Sequence, residues 1–353
     1  MARAQGLGGK DGPAMDLSPR KDQILASVVS GFIQSGEPVG SKAVAQEVGV
    51  SSATVRNEMA SLTELGFLEQ PHTSAGRVPS QRGYREYVDR LMPEPRLDPA
   101  QQRWIDSHLG PYDPDQLLAL AARLAAEMGR CAAAATTPGG AGARVKAVQL
   151  VQTGRRTAML LLISTGGTIK SRVFRCGYDL TTEILRYFFR VFNEHAAGKP
   201  VSEITPAFLQ TLGASMEGMY ALVGAPLRAL LEAAGDTARR DMILSGQMNL
   251  LQYPEFGPEE VRRVLDFLED REEMALLLDQ KPGRTTVLIG REAGRSALEE
   301  ASAVVARYQV DGQDAGAIAA VGPTRMDYPR QVAALEYLSQ RVGRQLTALA
   351  GEE

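Results

Sequence analysis

The stretch SSATVRNEMASLTELGFLEQPHTSAGRVPS, residues 51–80, decides how this 353-residue chain is read. A serine opens it as a helix cap, and Gly66 closes the helix. At 100° per residue, Val55, Met59 and Leu62 form one apolar stripe, while Ala53, Asn57 and Ala60 point the other way, flanked by Thr54 and Arg56. That outer face is small or hydrogen-bonding toward its N-terminal end and meets its first acid late, at Glu64. A helix entering the major groove needs such a face, because its first residues approach base edges and a carboxylate there meets phosphates. Arg56 could pair with guanine and Asn57 with adenine.

After Gly66, Phe67 and Leu68 open a short strand, HTSAG supplies turn residues, and Arg77 and Val78 open a return strand that Pro79 ends. A hairpin directly after a recognition helix is a wing. His72, Thr73, Ser74, Gly76 and Arg77 provide tight curvature, hydroxyls and a cation for phosphate oxygens or the minor groove. Working outward, LSPRKDQILASVVSGFIQSGEP predicts a helix capped by Ser18 with Pro19 at its first position and Ile24, Leu25, Val28, Val29 and Phe32 inward. GSKAVAQEVGV predicts a second, short helix with Ser41 as cap and Val44 and Val48 inward. This helix and the Val55 helix, joined by a Gly-containing turn, form a helix-turn-helix. SQRGYREYVDRLM closes the domain as a helix striped by Tyr84, Val88 and Leu91. Arg82 and Arg85 on it either lie near DNA or face solvent.

The candidate DNA-binding residues are therefore Lys42, Ser51, Ser52, Thr54, Arg56, Asn57, His72, Thr73, Ser74 and Arg77. The net charge of −3 does not announce a nucleic-acid binder, and between residues 18 and 92 eight cations are balanced by eight acids. Any DNA affinity must then come from where the charges sit. With 44% hydrophobic and 23% charged residues, the composition is that of an ordinary soluble chain long enough for two or three domains. It has no run of about eighteen apolar residues, so a membrane span is not expected, and residues 1–16 read as a disordered lead-in rather than a secretory signal. Cys131 and Cys176 form no C-x-x-C pair and are expected to be reduced in a cytoplasmic protein. His72, His108 and His195 share no metal-ligand spacing, so neither metal nor cofactor is expected.

PVGSKAVAQEVGVSSATVRNEMASLTELGFLEQPHTSAGRVPSQRGYREYVDRLM closely resembles the N-terminal winged helix of HrcA, the bacterial heat-inducible transcription repressor family. SATVRNEM, LTELGFLEQPHTSAGRVPS and GYREYVD are its most distinctive phrases. NLLQYPEF, VLIGRE and AAVGPTRMDYPRQVAALEYL extend the resemblance through the C-terminal half. It implies a homodimeric repressor of chaperone operons of the groESL and dnaK type, binding the inverted repeat CIRCE and kept active by the chaperonin GroEL. It also implies a central GAF-like domain with an inserted helical segment that takes part in dimerisation. Where relatives usually follow the Gly-x-Glu of one strand with Asn, this chain has Gly290, Arg291, Glu292, Ala293.

The expected fold is thus a multidomain α+β chain: a winged helix-turn-helix over 17–92, a linker over 93–100, a GAF-like α+β domain over 101–195 and 281–353, and the inserted segment over 196–280. The Ala-rich stretch from about Asp115 to Ala135 reads as a closely packed helix. VKAVQLVQ, TAMLLLIS, TIKSRVFR, RTTVLIG, SAVVARYQV and AGAIAAVGP carry the strand period and are expected in one interrupted sheet. GPTRM lacks the spacing of a phosphate loop and reads as a structural turn; the aromatic run Tyr187, Phe188, Phe189 and Phe192 reads as core or dimer seam. A metabolite-gated regulator is the alternative, needing a pocket with convergent polar groups. No nucleophile with a base, paired carboxylates or metal cluster suggests an enzyme.

Overall fold

The computed structural model describes residues 17–72, 75–110, 113–140, 143–216, 220–279 and 283–351; the expected lead-in, 1–16, lies outside them. The N-terminal domain opens with α1, Pro19–Ser35, whose cap Ser18 accepts from the Lys21 amide at 3.4 Å and whose apolar stripe is buried at Ile24, Leu25, Val28 and Val29. Next come α2, Ser41–Val48, and α3, Ser52–Glu64. The expected cap of α2 is corrected: Gly40 occupies that position, and the Ser41 hydroxyl instead meets that of Ser52 at 3.1 Å, joining the two helices of the turn motif. Two short antiparallel strands, β1 at Leu68–Glu69 and β2 at Val78–Pro79, make the wing, with Val39 bridging to Arg77 beside them. The closing helix α4, Gln81–Glu86, widens into a π-helical turn over Tyr87–Leu91.

The chain continues through α5 (Pro99–His108), which takes the last positions expected of the linker, and α6 (Pro114–Gly129). Then come β3 (Ala132–Thr136), β4 (Val145–Gly154), β5 (Thr157–Ser164), β6 (Ile169–Arg175) and α7 (Thr182–Ala196). Two more helices, α8 (Pro206–Ser215) and α9 (Tyr220–Ala238), lead to β7 (Met242–Ser245), α10 (Pro258–Glu269) and α11 (Arg271–Asp279). The chain ends with β8 (Thr285–Ile289), β9 (Ala301–Val310), β10 (Gln313–Pro323) and α12 (Tyr328–Gly351).

These strands form two sheets rather than the one expected. A five-stranded antiparallel sheet has the order β7-β3-β10-β9-β8, and a separate three-stranded sheet has the order β4-β5-β6. The chain leaves the larger sheet after β3 and returns just before β7. There the Thr137 amide donates to the Asp241 carbonyl at 2.8 Å and the Asp241 amide to the Thr137 hydroxyl at 2.9 Å. The excursion between these points, with β4 to β6 and α7 to α9, builds its own core around Leu160, Phe188, Phe192 and Leu230. Helices α10 and α11, expected in the inserted segment, instead cover the larger sheet.

Both faces of that sheet are buried, so its strands lack alternation and read as near-continuous apolar runs. Ala133, Ala135, Val304 and Ile318 face α6 and α12; Ala132, Ala134, Leu288 and Ala303 face α10 and α11. This overturns the helical reading of Ala132–Ala135. Alanine favours helices by only tenths of a kcal/mol, about 0.7 at most against ordinary residues, and tertiary packing outweighs that. Arg130, at φ 50°, turns the chain out of α6, and side chains small enough for two layers to close on the strand are what the site requires. The loop GPTRM is indeed a structural turn, since Arg325 within it pairs with Glu255 and lies 5.3 Å over the Tyr253 ring.

Helix α12 approaches β9 closely at Gly343, where a Cβ would meet the Gln309 carbonyl oxygen at 2.5 Å. Gly-to-Ala in a helix interior ordinarily stabilises by up to about 1 kcal/mol. Here Gly343→Ala is expected to reverse the sign and destabilise by roughly 1–3 kcal/mol through overpacking, read as a lower midpoint in thermal or urea unfolding.

Candidate nucleic-acid interface

Helix α3 is held as its pattern predicts. Val55, Met59 and Leu62 are buried, while Ala53, Arg56 and Asn57 are exposed. The cap Ser51 accepts from the Thr54 amide at 3.1 Å, and the two hydroxyls lie 2.8 Å apart. With Ser52 committed to Ser41, the hydroxyls at this end of the helix fix its position first. Arg56 and Asn57 stand one beside the other on the open face, and Lys42 is exposed in the first turn of α2. The acid nearest to them, Glu58, is neutralised by Lys21 of α1 at 2.6 Å, with both side chains about one-fifth exposed. That pairing removes a negative charge from the face a DNA backbone would meet. It was invisible in the sequence, where the partners lie 37 residues apart.

The wing differs from expectation at its cation. His72 is exposed at the tip, where its carbonyl accepts from the Ala75 amide at 2.9 Å; Thr73 and Ser74 lie outside the described residues. Arg77 is half-buried at the wing base, and its Nε donates to the Thr63 hydroxyl at 3.0 Å, which in turn donates to the Met59 carbonyl at 2.9 Å. It therefore braces the wing against α3. Gly76 is required by close approach, since a Cβ there would lie 2.4 Å from the Val39 carbonyl oxygen. Arg82 and Arg85 both have partners within the protein. Arg82 stacks 4.4 Å over Phe67 and donates to the Leu65 carbonyl at 2.9 Å, and Arg85 is bound to Glu292.

Thr63→Val keeps the Arg77 charge and removes its anchor. It is expected to weaken DNA binding several-fold with an unchanged salt slope, whereas Arg77→Ala lowers the slope as well if its outer nitrogens reach a phosphate. Titrations at several salt concentrations separate the two.

Among the described residues, no group of three or more His, Cys, Asp or Glu is arranged to hold a metal ion. Both cysteines are unpaired and buried, and burial pushes the Cys131 thiol up to about 12, which leaves it protonated and unreactive at neutral pH. Among those residues no helix is long and apolar enough to cross a membrane.

The winged helix-turn-helix profile of the HrcA DNA-binding domain matches residues 16–89, and that of the HrcA C-terminal domain matches residues 115–332. The heat-inducible transcription repressor HrcA of Desulforudis audaxviator is 36% identical over 344 residues, covering 95% of this chain and 99% of that protein. Its counterpart in Acetivibrio thermocellus is 31% identical over 347 residues, covering 96% and 99%. A crystal structure of a hypothetical protein superposes with a TM-score of 0.62 at 25% identity, over 94% of this chain and 99% of that one. The two named relatives are heat-inducible transcription repressors, a family of DNA-binding proteins and not of enzymes. With a DNA-binding winged helix at its N-terminus and the likeness running nearly end to end, the chain belongs to the HrcA family of heat-inducible transcription repressors.

Proposed function

We propose that the protein is a cytoplasmic, homodimeric repressor of chaperone operons that reads the CIRCE inverted repeat through α3 and is maintained in its active form by GroEL. The observation that carries this reading is the exposed pair Arg56 and Asn57 on a helix whose opposite stripe is buried and whose neighbouring acid is neutralised. Both side chains form bidentate hydrogen bonds with single bases, and Ser52 and Thr54 set the helix end against the backbone. Lys42, Ser51, His72, Thr73, Ser74 and Arg77 make up the surrounding phosphate-facing set. Heat diverts the chaperonin to unfolded proteins, the active fraction of repressor falls, and chaperone genes are expressed.

The unit around the larger sheet is read as the GAF-like domain, and the excursion between residues 137 and 241, which takes in β4 to β6 and α7 in place of the 196–280 expected from sequence, as the dimerisation unit. Supporting this is the outer face of the three-stranded sheet. Val151 pairs with Met159, which pairs with Val173, and Ile163 pairs with Ile169. Val151, Ile169 and Val173 are 43%, 59% and 66% exposed. A contiguous apolar sheet face of this kind marks an association surface. A two-fold dimer formed there presents two winged helices to an inverted repeat.

Arg56→Ala and Asn57→Ala are each expected to cost roughly 1–3 kcal/mol on the intact operator and to relax preference at one base pair; an equal loss on every operator variant would exclude base reading. Purified GroEL is expected to raise the fraction of protein competent to bind, and no change on its addition would remove the chaperonin from the account. Val173→Glu is expected to shift sedimentation toward monomer; an undisturbed dimer would place the contact elsewhere.

A second reading, a metabolite-gated regulator, is favoured by one observation. A cleft of about 610 Å³ between β9 and α12 is lined by Arg284, Arg307 and Arg344 against one acid, Asp314, with Ser339 and Thr347 beside them, an excess of cations suited to an anionic effector. A rise in melting temperature with such a metabolite, accompanied by altered operator affinity, would support it.

A further inference from the structure

The winged helix is docked on the rest of the chain through side chains whose partners lie more than two hundred residues away. Arg85 of α4 donates through Nε to Glu292 at 2.8 Å and through Nη2 to the Val287 carbonyl at 2.7 Å, and its side chain is only 15% exposed. Glu292 also accepts from the Ile289 amide at 3.0 Å, so its carboxylate is fixed by the end of β8. One turn earlier, Gln81 donates to the Glu299 carbonyl at 2.8 Å and accepts from the Arg291 amide at 3.2 Å. Gly290 admits it: the backbone there has φ 54°, and a Cβ would lie 2.2 Å from the Gln81 Nε2. Between these two contacts Tyr84 meets Tyr328 edge-on with centroids 5.9 Å apart, both rings buried.

The same helix is locked to the recognition helix. Ser80 donates to the Gly66 carbonyl at 2.6 Å, and Arg82 donates to the Leu65 carbonyl at the end of α3. A continuous series of contacts thus runs from α3 through α4 to β8 and the larger sheet. Arg325 adds a donor to the Ile33 carbonyl near the end of α1 at 3.4 Å.

We infer that Gln81 and Arg85, seated on Gly290–Glu292, are positioning residues that fix the angle of the recognition helix to the body of the protein and so make the repressor select the spacing of its two half-sites. This rests on the dimeric, inverted-repeat reading above. Linked sites gain from one another only when the linkage holds them at the right separation. A loosely tethered pair of winged helices would accept many spacings, each with little gain. The forked guanidinium is what the contact needs, since one planar group bridges a carboxylate and a backbone carbonyl that lysine cannot span together.

The test compares wild type, Arg85→Ala, Arg85→Lys and the milder Gln81→Ala on a single half-site and on inverted repeats whose half-sites are moved by one to five base pairs. Wild type is expected to favour one spacing by roughly tenfold or more, consistent with a rigid linkage. All three variants are expected to bind the half-site as wild type does and to flatten the spacing profile, with Arg85→Lys failing to restore it. A spacing optimum that survives in the folded variants overturns the inference, as does a loss confined to half-site affinity. A second arm needs no DNA: spin labels on Glu64→Cys in α3 and Asp266→Cys in α10 are expected to give a narrow distance distribution in wild type and a broad one in Gln81→Ala/Arg85→Ala. An equally narrow distribution in both overturns the clamp. If wild type binds the repeat no better than the half-site, the dimeric operator reading fails, while the spin-label arm still decides whether these residues hold the domain.

Discussion

The larger sheet is buried on both faces, and the architecture follows from that constraint. Two helical layers close on β3 and β10 only because the strands present alanines and a few branched residues, and Gly343 lets α12 come down onto β9. Once α12 is placed, its face continues without a break into the apolar interior of the winged helix: Ile24, Leu62 and Tyr84 belong to the same core as Leu335, Leu338 and Ile318. The DNA-reading domain is therefore an extension of the body rather than a bead on a string. A linker that contributed only reach would leave the pose of α3 undefined.

Local chemistry then sets what the recognition helix shows. Polar groups around it brace one another and so fix the positions from which they act: Ser41 with Ser52, Ser51 with Thr54, Lys21 with Glu58, Arg77 with Thr63. Among the described residues, Lys42, Arg56 and Asn57 stay exposed beside them. A chain with a net charge of −3 can bind a polyanion on these terms because the relevant field is that of a few square nanometres, not of the whole surface.

The winged helix was legible because its determinants are local. Caps, a three-to-four-residue apolar period and a Gly-containing hairpin lie within a few residues of the structure they specify; the differences are local too, with Gly40 rather than Ser41 capping α2 and Pro79 lying within β2 rather than ending it. The second half was legible as elements and illegible as an assembly. Six strands were foreseen, but β3 hides in an alanine run and β7 in a stretch that reads as helical. Without those two, nothing in the sequence says that the excursion begins after Thr137 and ends at Asp241. The roles of Arg77, Arg82 and Arg85 were hidden for the related reason that a cation's partner is set by the fold. The partner of Arg85 is 207 residues away. Ala293 is buried among the apolar side chains between the larger sheet and α10.

If the exposed face of α3 reads a two-fold-related operator, both half-sites must contribute to binding. The most direct measurement is a titration of the wild-type protein, at fixed physiological salt, against a duplex carrying the intact CIRCE repeat and one with a half-site scrambled. The intact repeat is expected to bind more tightly by about a thousandfold or more, the lower range of specific discrimination. Equal, weak binding to both duplexes would contradict it.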